Sequence, residues 1–232
     1  MLLPSLFRFM LTTLLMLVMA GAVAKSGVNL ANGKTIYING KGGSVACAVC
    51  HGEKALGNDA LGAPRLANLG YDYLIKQLVD FAANKRTATG MGMIMNDFSK
   101  ALSEQDRRDL ASYLDNLKYV SEPSNLKALA IEGHQIGRKE EGEIIVKHGI
   151  NGRLPACQSC HGFNGRNPTI PAINQQKYVY LVNQLKSWRD GSRSNDPQVE
   201  QQGVMQAIAQ NFTDEDIINI AAFLTSAPRL SP

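Results

Sequence analysis

Two short segments of the sequence place cysteine and histidine at a spacing suited to holding an iron cofactor. Residues 47–51 and 157–161 both read C-x-x-C-H, and they contain all the cysteines of the chain, Cys47, Cys50, Cys157 and Cys160. Two cysteines three residues apart on a helical turn project to one side, where they can form thioether bonds to the two vinyl groups of one haem. The motif therefore predicts two covalently attached haem c groups.

The histidine that ends each motif is the predicted proximal ligand of a haem iron. His51 and His161 each follow their second cysteine directly, which places the ring under the iron. Pro64 and Pro171 follow these histidines by 13 and 10 residues. We expect their backbone carbonyl groups to accept a hydrogen bond from the free N–H of these rings and so to set the tautomer.

A methionine in each half of the chain is the predicted second axial ligand. Met205 is the only methionine in the second half, and its counterpart in the first is Met95. The stretch before Met95 also contains Met91 and Met93, which remain alternatives for the first iron. Methionine as the second ligand raises the reduction potential, and it leaves no open site on the iron.

Two other kinds of site fit a C-x-x-C pair less well. The two pairs could form one four-cysteine zinc site, but they lie in separate halves and each has its own histidine. A thioredoxin-like redox pair needs a βαβ context, which the sequence lacks. His134 and His148 have no counterpart in the other half, and they are predicted to be surface residues rather than ligands.

The motifs belong to a repeat of the whole domain. Cys47 and Cys157 are 110 residues apart, and a Y-L-x-x-Q-L segment at 73–78 returns at 180–185. Arg86 pairs with Arg193 in the same alignment. The segment between histidine and proline is three residues longer in the first copy, an insertion that a surface loop tolerates. Two copies of this length indicate duplicated domains.

Helices must position these residues, and six segments are predicted to be helical from their apolar spacing. They are residues 71–83, 107–117, 126–132, 139–148, 178–189 and 217–225. Ser103 and Thr213 are predicted helix caps, since acidic residues follow each of them. No segment shows a convincing strand alternation, so the predicted fold class is all-α.

Composition and charge exclude several classes of protein. The chain has 232 residues, of which 44% are hydrophobic and 19% charged, as in ordinary globular domains. Its formal charge of +4 is too small and scattered to indicate nucleic-acid binding. Residues 1–24 are predicted to be a signal peptide with cleavage after Ala24, although an uncleaved membrane anchor is the alternative. The predicted domains are 25–118 and 131–232, joined by a linker at 119–130.

The ordered set of motifs resembles a class I cytochrome c duplicated in one chain, as in the dihaem cytochrome c4 family. The resemblance implies two tandem all-α domains, each around one covalent haem with histidine and methionine ligands. It also implies a periplasmic electron carrier, not an enzyme, that passes single electrons from a respiratory donor to a terminal oxidase or other acceptor. Expected partners are redox proteins, including a membrane oxidase or reductase, with peripheral contact to the membrane.

Two functions other than an electron carrier are compatible with a haem-binding chain. The first is a dihaem subunit of a periplasmic dehydrogenase for sulfide, thiosulfate or alcohol, which would carry the same motifs. The second is a haem enzyme or gas sensor, which needs an open position on the iron. A candidate methionine in each half disfavours the second.

Overall fold

The computed structural model describes residues 27–86, 90–118, 120–161, 169–199 and 202–228. The signal peptide predicted over residues 1–24 lies outside this part of the chain, in which no helix is long and apolar enough to cross a membrane. Within it the protein is helical, apart from one short hairpin, as the predicted all-α class requires.

The first half contributes five α-helices and a 3₁₀ turn. In chain order they are α1 (Leu30–Asn39), α2 (Cys47–His51), α3 (Tyr71–Ala82), the 3₁₀ turn Gly90–Met93, α4 (Ile94–Lys100) and α5 (Glu104–Asp115). The second half contributes α6 (Leu126–Ile131), α7 (Lys139–His148), α8 (Gln158–His161), α9 (Tyr178–Asp190), α10 (Val204–Ala209) and α11 (Asp214–Leu224). Strands β1 (Gln198–Val199) and β2 (Gln202–Gly203) pair in antiparallel fashion just before α10.

The helices predicted from sequence are present to within a few residues at their ends. Both α5 and α11 begin with a capping box, in which Ser103 or Thr213 accepts from the backbone N–H of the third helical residue and that residue's carboxylate accepts in return. The predictions began α5 and α11 about one turn too late, because the acidic first turns, with few apolar residues, were assigned to the caps. Helices α1, α4 and α10 were not predicted.

Each half encloses its own hydrophobic core. The first core contains buried residues between Ile36 and Leu114, and the second contains buried residues between Leu129 and Leu224. In each half the first long helix packs against the last, α1 on α5 and α7 on α11. This repeated pairing accounts for helix α1, whose sequence carries little amphipathic signal of its own.

A glycine allows each of these helix pairs to cross closely. A Cβ on Gly33 would lie 2.2 Å from the Asp109 carbonyl oxygen, and a Cβ on Gly142 would lie 1.9 Å from the Asn219 carbonyl oxygen. The side chains of Asp109 and Asn219 in turn accept from backbone N–H groups that precede α1 and α7, at 2.8 Å and 2.7 Å. The duplicated halves therefore share the same helix crossing.

The longer loop of the first half contacts the second half. Asp59 accepts a hydrogen bond from the Val179 N–H at 3.0 Å and so caps the first turn of α9. Arg65, only 2% exposed, donates to the carbonyl oxygens of Asn174 and Gln175 at 3.0 Å and 3.2 Å. The longer loop, through Asp59, and Arg65 just after it are therefore part of the domain interface.

Candidate haem sites

One cavity of about 1210 Å³ runs through both halves of the molecule. Among its lining residues are the side chains that the sequence singled out: Cys47, Cys50, His51, Met95, Cys157, Cys160, His161 and Met205. Both candidate sites therefore open into a shared space beside the domain interface. Much of the remaining lining is leucine, isoleucine and aromatic side chains, which suits a large flat apolar ring system.

Both histidines hold the same hydrogen bond. Nδ1 of His51 lies 2.9 Å from the Pro64 carbonyl oxygen, and Nδ1 of His161 lies 2.9 Å from the Pro171 carbonyl oxygen. Since a carbonyl only accepts, Nδ1 carries the proton and Nε2 keeps its lone pair free. The expected role of the two prolines is confirmed by these contacts, which leave each ring able to bind a metal ion through Nε2.

Burial keeps the histidines in the form that binds iron. It lowers the pKa of both His51 and His161 below the usual value, against the opposing effect of their hydrogen bonds to the proline carbonyls. Neutral imidazole is the ligating form. Burial also raises the pKa of the Cys47 and Cys157 thiols to about 11. These two cysteines are therefore protonated thiols at neutral pH in the unmodified chain.

Hydrogen bonds position the two backbone segments that carry the candidate methionines. Next to Met95, the Asn96 side chain donates to the carbonyl oxygens of Phe81 and Arg86, at 2.9 Å and 3.0 Å. The Met205 N–H donates to the Asp196 carboxylate at 2.5 Å. Met93 is 62% exposed, whereas Met95 lines the cavity. The side chain of Met91 lies outside the described residues.

The four cysteines do not come together as a zinc site requires. No group of three or more His, Cys, Asp or Glu side chains in the described part of the chain could hold a metal ion. Cys47 and Cys157 line the cavity from different halves, each in its own C-x-x-C-H turn. The geometry therefore favours one separate attachment site in each half over a shared four-cysteine centre.

Arg86 and Arg193, which correspond in the repeat, both lie in the cavity wall at the interface. Arg86 donates to Gln77 of its own half at 2.6 Å and to Gln184 of the other half at 2.9 Å. Arg193 donates to Gln184 at 2.5 Å and to Gln77 at 3.3 Å. Their equal spacing from Pro64 and Pro171 was the available signal.

The charge in this wall suits an anionic group. The Nε of Arg86 is buried and has no hydrogen-bond partner among the described residues. Burial acts to raise the pKa of the nearby Tyr180 hydroxyl, but Arg86 and Arg193 outweigh burial and lower it. A haem carries two carboxylate side chains, and a buried guanidinium is a strong partner for a carboxylate. The residues present therefore fit haem in both its apolar and its charged parts.

A family model and the sequences of known proteins both place this chain among the c-type cytochromes. The cytochrome c family model matches residues 30–118 and again residues 148–228. The chain is 36% identical over 193 residues to a thiosulfate dehydrogenase electron acceptor of Thiomonas intermedia, covering 82% of this chain and 81% of that protein. It is 31% identical over 191 residues to cytochrome c4 of Pseudomonas aeruginosa, covering 80% and 85%.

Solved structures agree with the sequence relatives. A reduced recombinant cytochrome c4 from Pseudomonas stutzeri superposes with a TM-score of 0.66 at 27% identity, covering 86% of this chain and 98% of that one. A thiosulfate dehydrogenase from Marichromatium purpuratum superposes with a TM-score of 0.75 at 29% identity. That match covers 86% of this chain, which spans only 40% of the length of the Marichromatium protein.

Proposed function

Because this chain belongs to the cytochrome c family, as a dihaem member of the cytochrome c4 type, we propose that it carries electrons away from a dehydrogenase that oxidises thiosulfate. It is an electron-transfer protein with two covalently bound haem c groups. The downstream acceptor is a terminal oxidase or another periplasmic redox protein. The electron-carrier function rests on the observation that each half lines the shared cavity with its own set of candidate haem-binding side chains. The choice of donor rests on the similarity to the Thiomonas electron acceptor.

The proposed ligand sets follow the repeat. Cys47 and Cys50 attach the first haem, with His51 and Met95 as axial ligands, and in the second half the same roles fall to Cys157, Cys160, His161 and Met205. The Nδ1 contacts of the histidines and the position of both methionines in the cavity wall support this assignment.

A haem iron supplies one-electron oxidation and reduction, and the protein supplies rigid surroundings for it. Each proline carbonyl holds its histidine ring in one orientation, and the hydrogen bonds of Asn96 and Asp196 hold the segments that carry the methionines. Ligands held in this way change position little when the charge of the site changes, which favours fast electron transfer. The apolar lining limits the access of water.

The spectrum of the dithionite-reduced protein, with and without carbon monoxide, tests the electron-carrier function against catalysis or sensing. We expect no change on addition of carbon monoxide, because a methionine in each half occupies the sixth position of the iron. A shift in half of the haem would show one labile site and would favour catalysis or sensing instead.

The identity of the electron donor needs its own experiment. Stopped-flow mixing of the oxidised protein with a purified thiosulfate dehydrogenase and thiosulfate should reduce both haems, whereas omission of the dehydrogenase should leave them oxidised. Reduction that requires a different dehydrogenase, such as one for sulfide or alcohol, would contradict the thiosulfate assignment and leave the carrier function in place.

A permanent subunit of that dehydrogenase is the second candidate. The Marichromatium protein supports it, because a region similar to 86% of this chain forms only 40% of that longer protein, a thiosulfate dehydrogenase. Co-purification with a dehydrogenase through size-exclusion chromatography at high salt would favour the subunit, and elution as a separate protein would favour the mobile carrier.

The proposed location of both candidates is the periplasm. Residues 1–24 are proposed to act as a removed signal peptide, which places the mature chain where cytochrome c4 relatives work. The proposed domain limits remain 25–118 and 131–232, with residues 119–130 as the linker. Mass spectrometry of the mature protein should give an N-terminus at Lys25.

A further inference from the structure

Hydrogen bonds join Asn195, in the segment before Met205, to the first half of the molecule. We infer that Lys76 and Asp80, on helix α3 of the first half, are positioning residues for Met205 in the second half. The inference rests on the proposed ligation of the second iron by Met205. It assigns to the first domain a role in the ligation of the haem that it does not itself bind.

Asn195 is the point of attachment. Its side-chain N–H₂ group donates to the Asp80 carboxylate at 2.7 Å and to the Gln77 side-chain oxygen at 3.1 Å, and both acceptors lie on α3. Its backbone carbonyl accepts from the Lys76 ammonium group at 2.5 Å. Lys76 and Asp80 also pair with each other, one helical turn apart. The main chain and the side chain of Asn195 are thus both held by the first half.

Asp196, the residue after Asn195, connects this contact to the candidate ligand Met205. Asp196 accepts from the Met205 N–H at 2.5 Å, across the hairpin formed by β1 and β2. The carboxylate lies so close to Gly203 that a Cβ there would be 2.0 Å from Oδ1. Asp196 therefore acts as a cap for the first turn of α10, the helix that carries Met205.

The arrangement is not reciprocal. The residues of α9 that correspond to Lys76 and Asp80 are Asn183 and Ser187, which cannot form the same ion pair. Among the described residues, Met95 is held from within its own half, where Asn96 donates to the carbonyl oxygens of Phe81 and Arg86. Loss of the contacts of Lys76 and Asp80 with Asn195 should therefore affect the second haem and leave the first unchanged.

The consequence for the second iron follows from the weakness of its sixth ligand. The thioether of methionine is a neutral donor, so its hold on iron depends on how well the protein fixes its segment. Removal of a charge-assisted, buried contact lets the segment of Met205 move and favours competing ligands. The contacts of Lys76 and Asp80 with Asn195 then set how firmly the second haem keeps methionine.

Carbon monoxide binding to the reduced, full-length dihaem protein tests the inference. In Asp80→Ala we expect one haem to bind carbon monoxide at concentrations that leave the spectrum of the parent protein unchanged. Its affinity should be about tenfold or more above the limit that the parent protein sets, and that haem should have a lower reduction potential. Lys76→Met should act in the same direction. Asp80→Asn, which keeps the shape of the side chain, provides a second variant in case Asp80→Ala does not fold.

Two matched variants separate this effect from general damage. Glu104→Gln breaks an exposed ion pair of the same i,i+4 type on α5, and it should leave both haems unchanged. Asp59→Ala removes a different contact between the halves, and it should also leave carbon monoxide binding unchanged. If Asp59→Ala matches the effect of Asp80→Ala, domain docking in general is responsible and the specific role of Lys76 and Asp80 is overturned.

Met205→Ala identifies the affected haem and tests the underlying ligand. It should open the second haem fully to carbon monoxide and remove one of the two methionine methyl signals shifted by the haems in the proton NMR spectrum. If Met205→Ala changes neither readout, the proposed ligand is wrong and the inference falls with it. If Met205→Ala acts as expected while the Asp80 and Lys76 variants bind carbon monoxide like the parent protein, only the inference is overturned.

Discussion

At the scale of single residues, both candidate haem sites contain the same arrangement, a buried histidine whose Nδ1–H donates a hydrogen bond to a proline carbonyl. The two contacts have the same length of 2.9 Å, although the loops that close them differ in length. The proline rather than the loop is therefore the common element. The surroundings of the methionines differ more, since Met95 and Met205 are held by different neighbours.

Substitution of the methionines of the first half identifies its sixth ligand. Met95→Ala should allow carbon monoxide to bind the first haem of the reduced protein, because the side chain lines the cavity. Met93→Ala should leave the haem spectrum unchanged, because that side chain faces solvent. Absorbance titration with carbon monoxide measures both. A response to Met93→Ala or Met91→Ala, with none to Met95→Ala, would show that the responding methionine, and not Met95, is the sixth ligand of the first iron.

At the scale of the helices, each half depends on one close crossing and one capped helix. Gly142 of α7 meets the backbone of α11 at Asn219, as Gly33 of α1 meets α5 at Asp109. The Asp216 carboxylate, near the start of α11, accepts from the Thr213 backbone N–H and forms a double contact with Arg153, at 2.6 Å and 3.1 Å. These local features hold α11 in place over the second core.

Gly142→Ala should destabilise the protein through this crossing. The added methyl group would meet the backbone of α11, which cannot yield as a flexible side chain could. We expect a loss of about 1–3 kcal/mol in the free energy of unfolding, measured by urea denaturation of the holoprotein. Ile144→Ala, at a 53% exposed position of the same helix, should cost about 0.5 kcal/mol or less. Equal losses would argue against a close crossing.

The cap at Asp216 should make stability depend on pH. Burial acts to raise the pKa of this carboxyl, but hydrogen bonds from Arg153 and Thr213 outweigh it and lower the pKa. A lowered pKa in the folded state contributes stability above the unfolded value of about 3.9, and that contribution is lost as the pH falls through the folded value.

Asp216→Asn should therefore lower the free energy of unfolding by about 1–2 kcal/mol at pH 7. At about pH 3 the two proteins should differ less, because the carboxyl of the unfolded parent chain is then largely protonated, which removes part of this contribution. Urea denaturation at the two pH values measures both differences. A difference between parent and variant that is independent of pH would contradict the assignment of this carboxylate.

At the scale of the whole molecule, buried polar contacts join the two halves. Arg65 extends from the first half to two carbonyl groups of the second, while the Gln176 side chain accepts from the Arg65 N–H at 2.6 Å and donates to its carbonyl at 3.0 Å. Beside this contact, Arg86 and Arg193 lie in the wall of the shared cavity. The interface therefore holds both candidate haem sites in one fixed relation.

Arg65→Ala should weaken the docking of the two halves. It leaves buried carbonyl groups of Asn174 and Gln175 without their donor, at a cost of about 1–3 kcal/mol for each. We expect a larger radius of gyration in small-angle X-ray scattering and faster proteolysis within residues 119–130. Arg108→Ala, on the surface of α5, is the matched control and should change neither. An unchanged scattering profile for Arg65→Ala would show that other contacts suffice.

The sequence alone determined the chemistry and the repeat. Haem attachment depends on residues a few positions apart, such as Cys47 and His51, and helix starts depend on caps such as Thr213 and Asp216, so local spacing carries the information. The proline carbonyls were also predictable, because Pro64 and Pro171 occupy matching places in the repeat, each nine residues before its Y-L-x-x-Q-L segment. Helix α1 was missed because its amphipathic signal is weak and its stability comes from packing against α5.

Only the tertiary structure decided how the two halves act on each other. The Asn195 contacts join residues more than one hundred positions apart and occur in one half only, so neither spacing nor the repeat could indicate them. The same holds for Arg65, whose partners lie in the other domain. Such contacts form only when two folded surfaces meet, because their energy depends on burial and on geometry that the chain acquires after each half has folded.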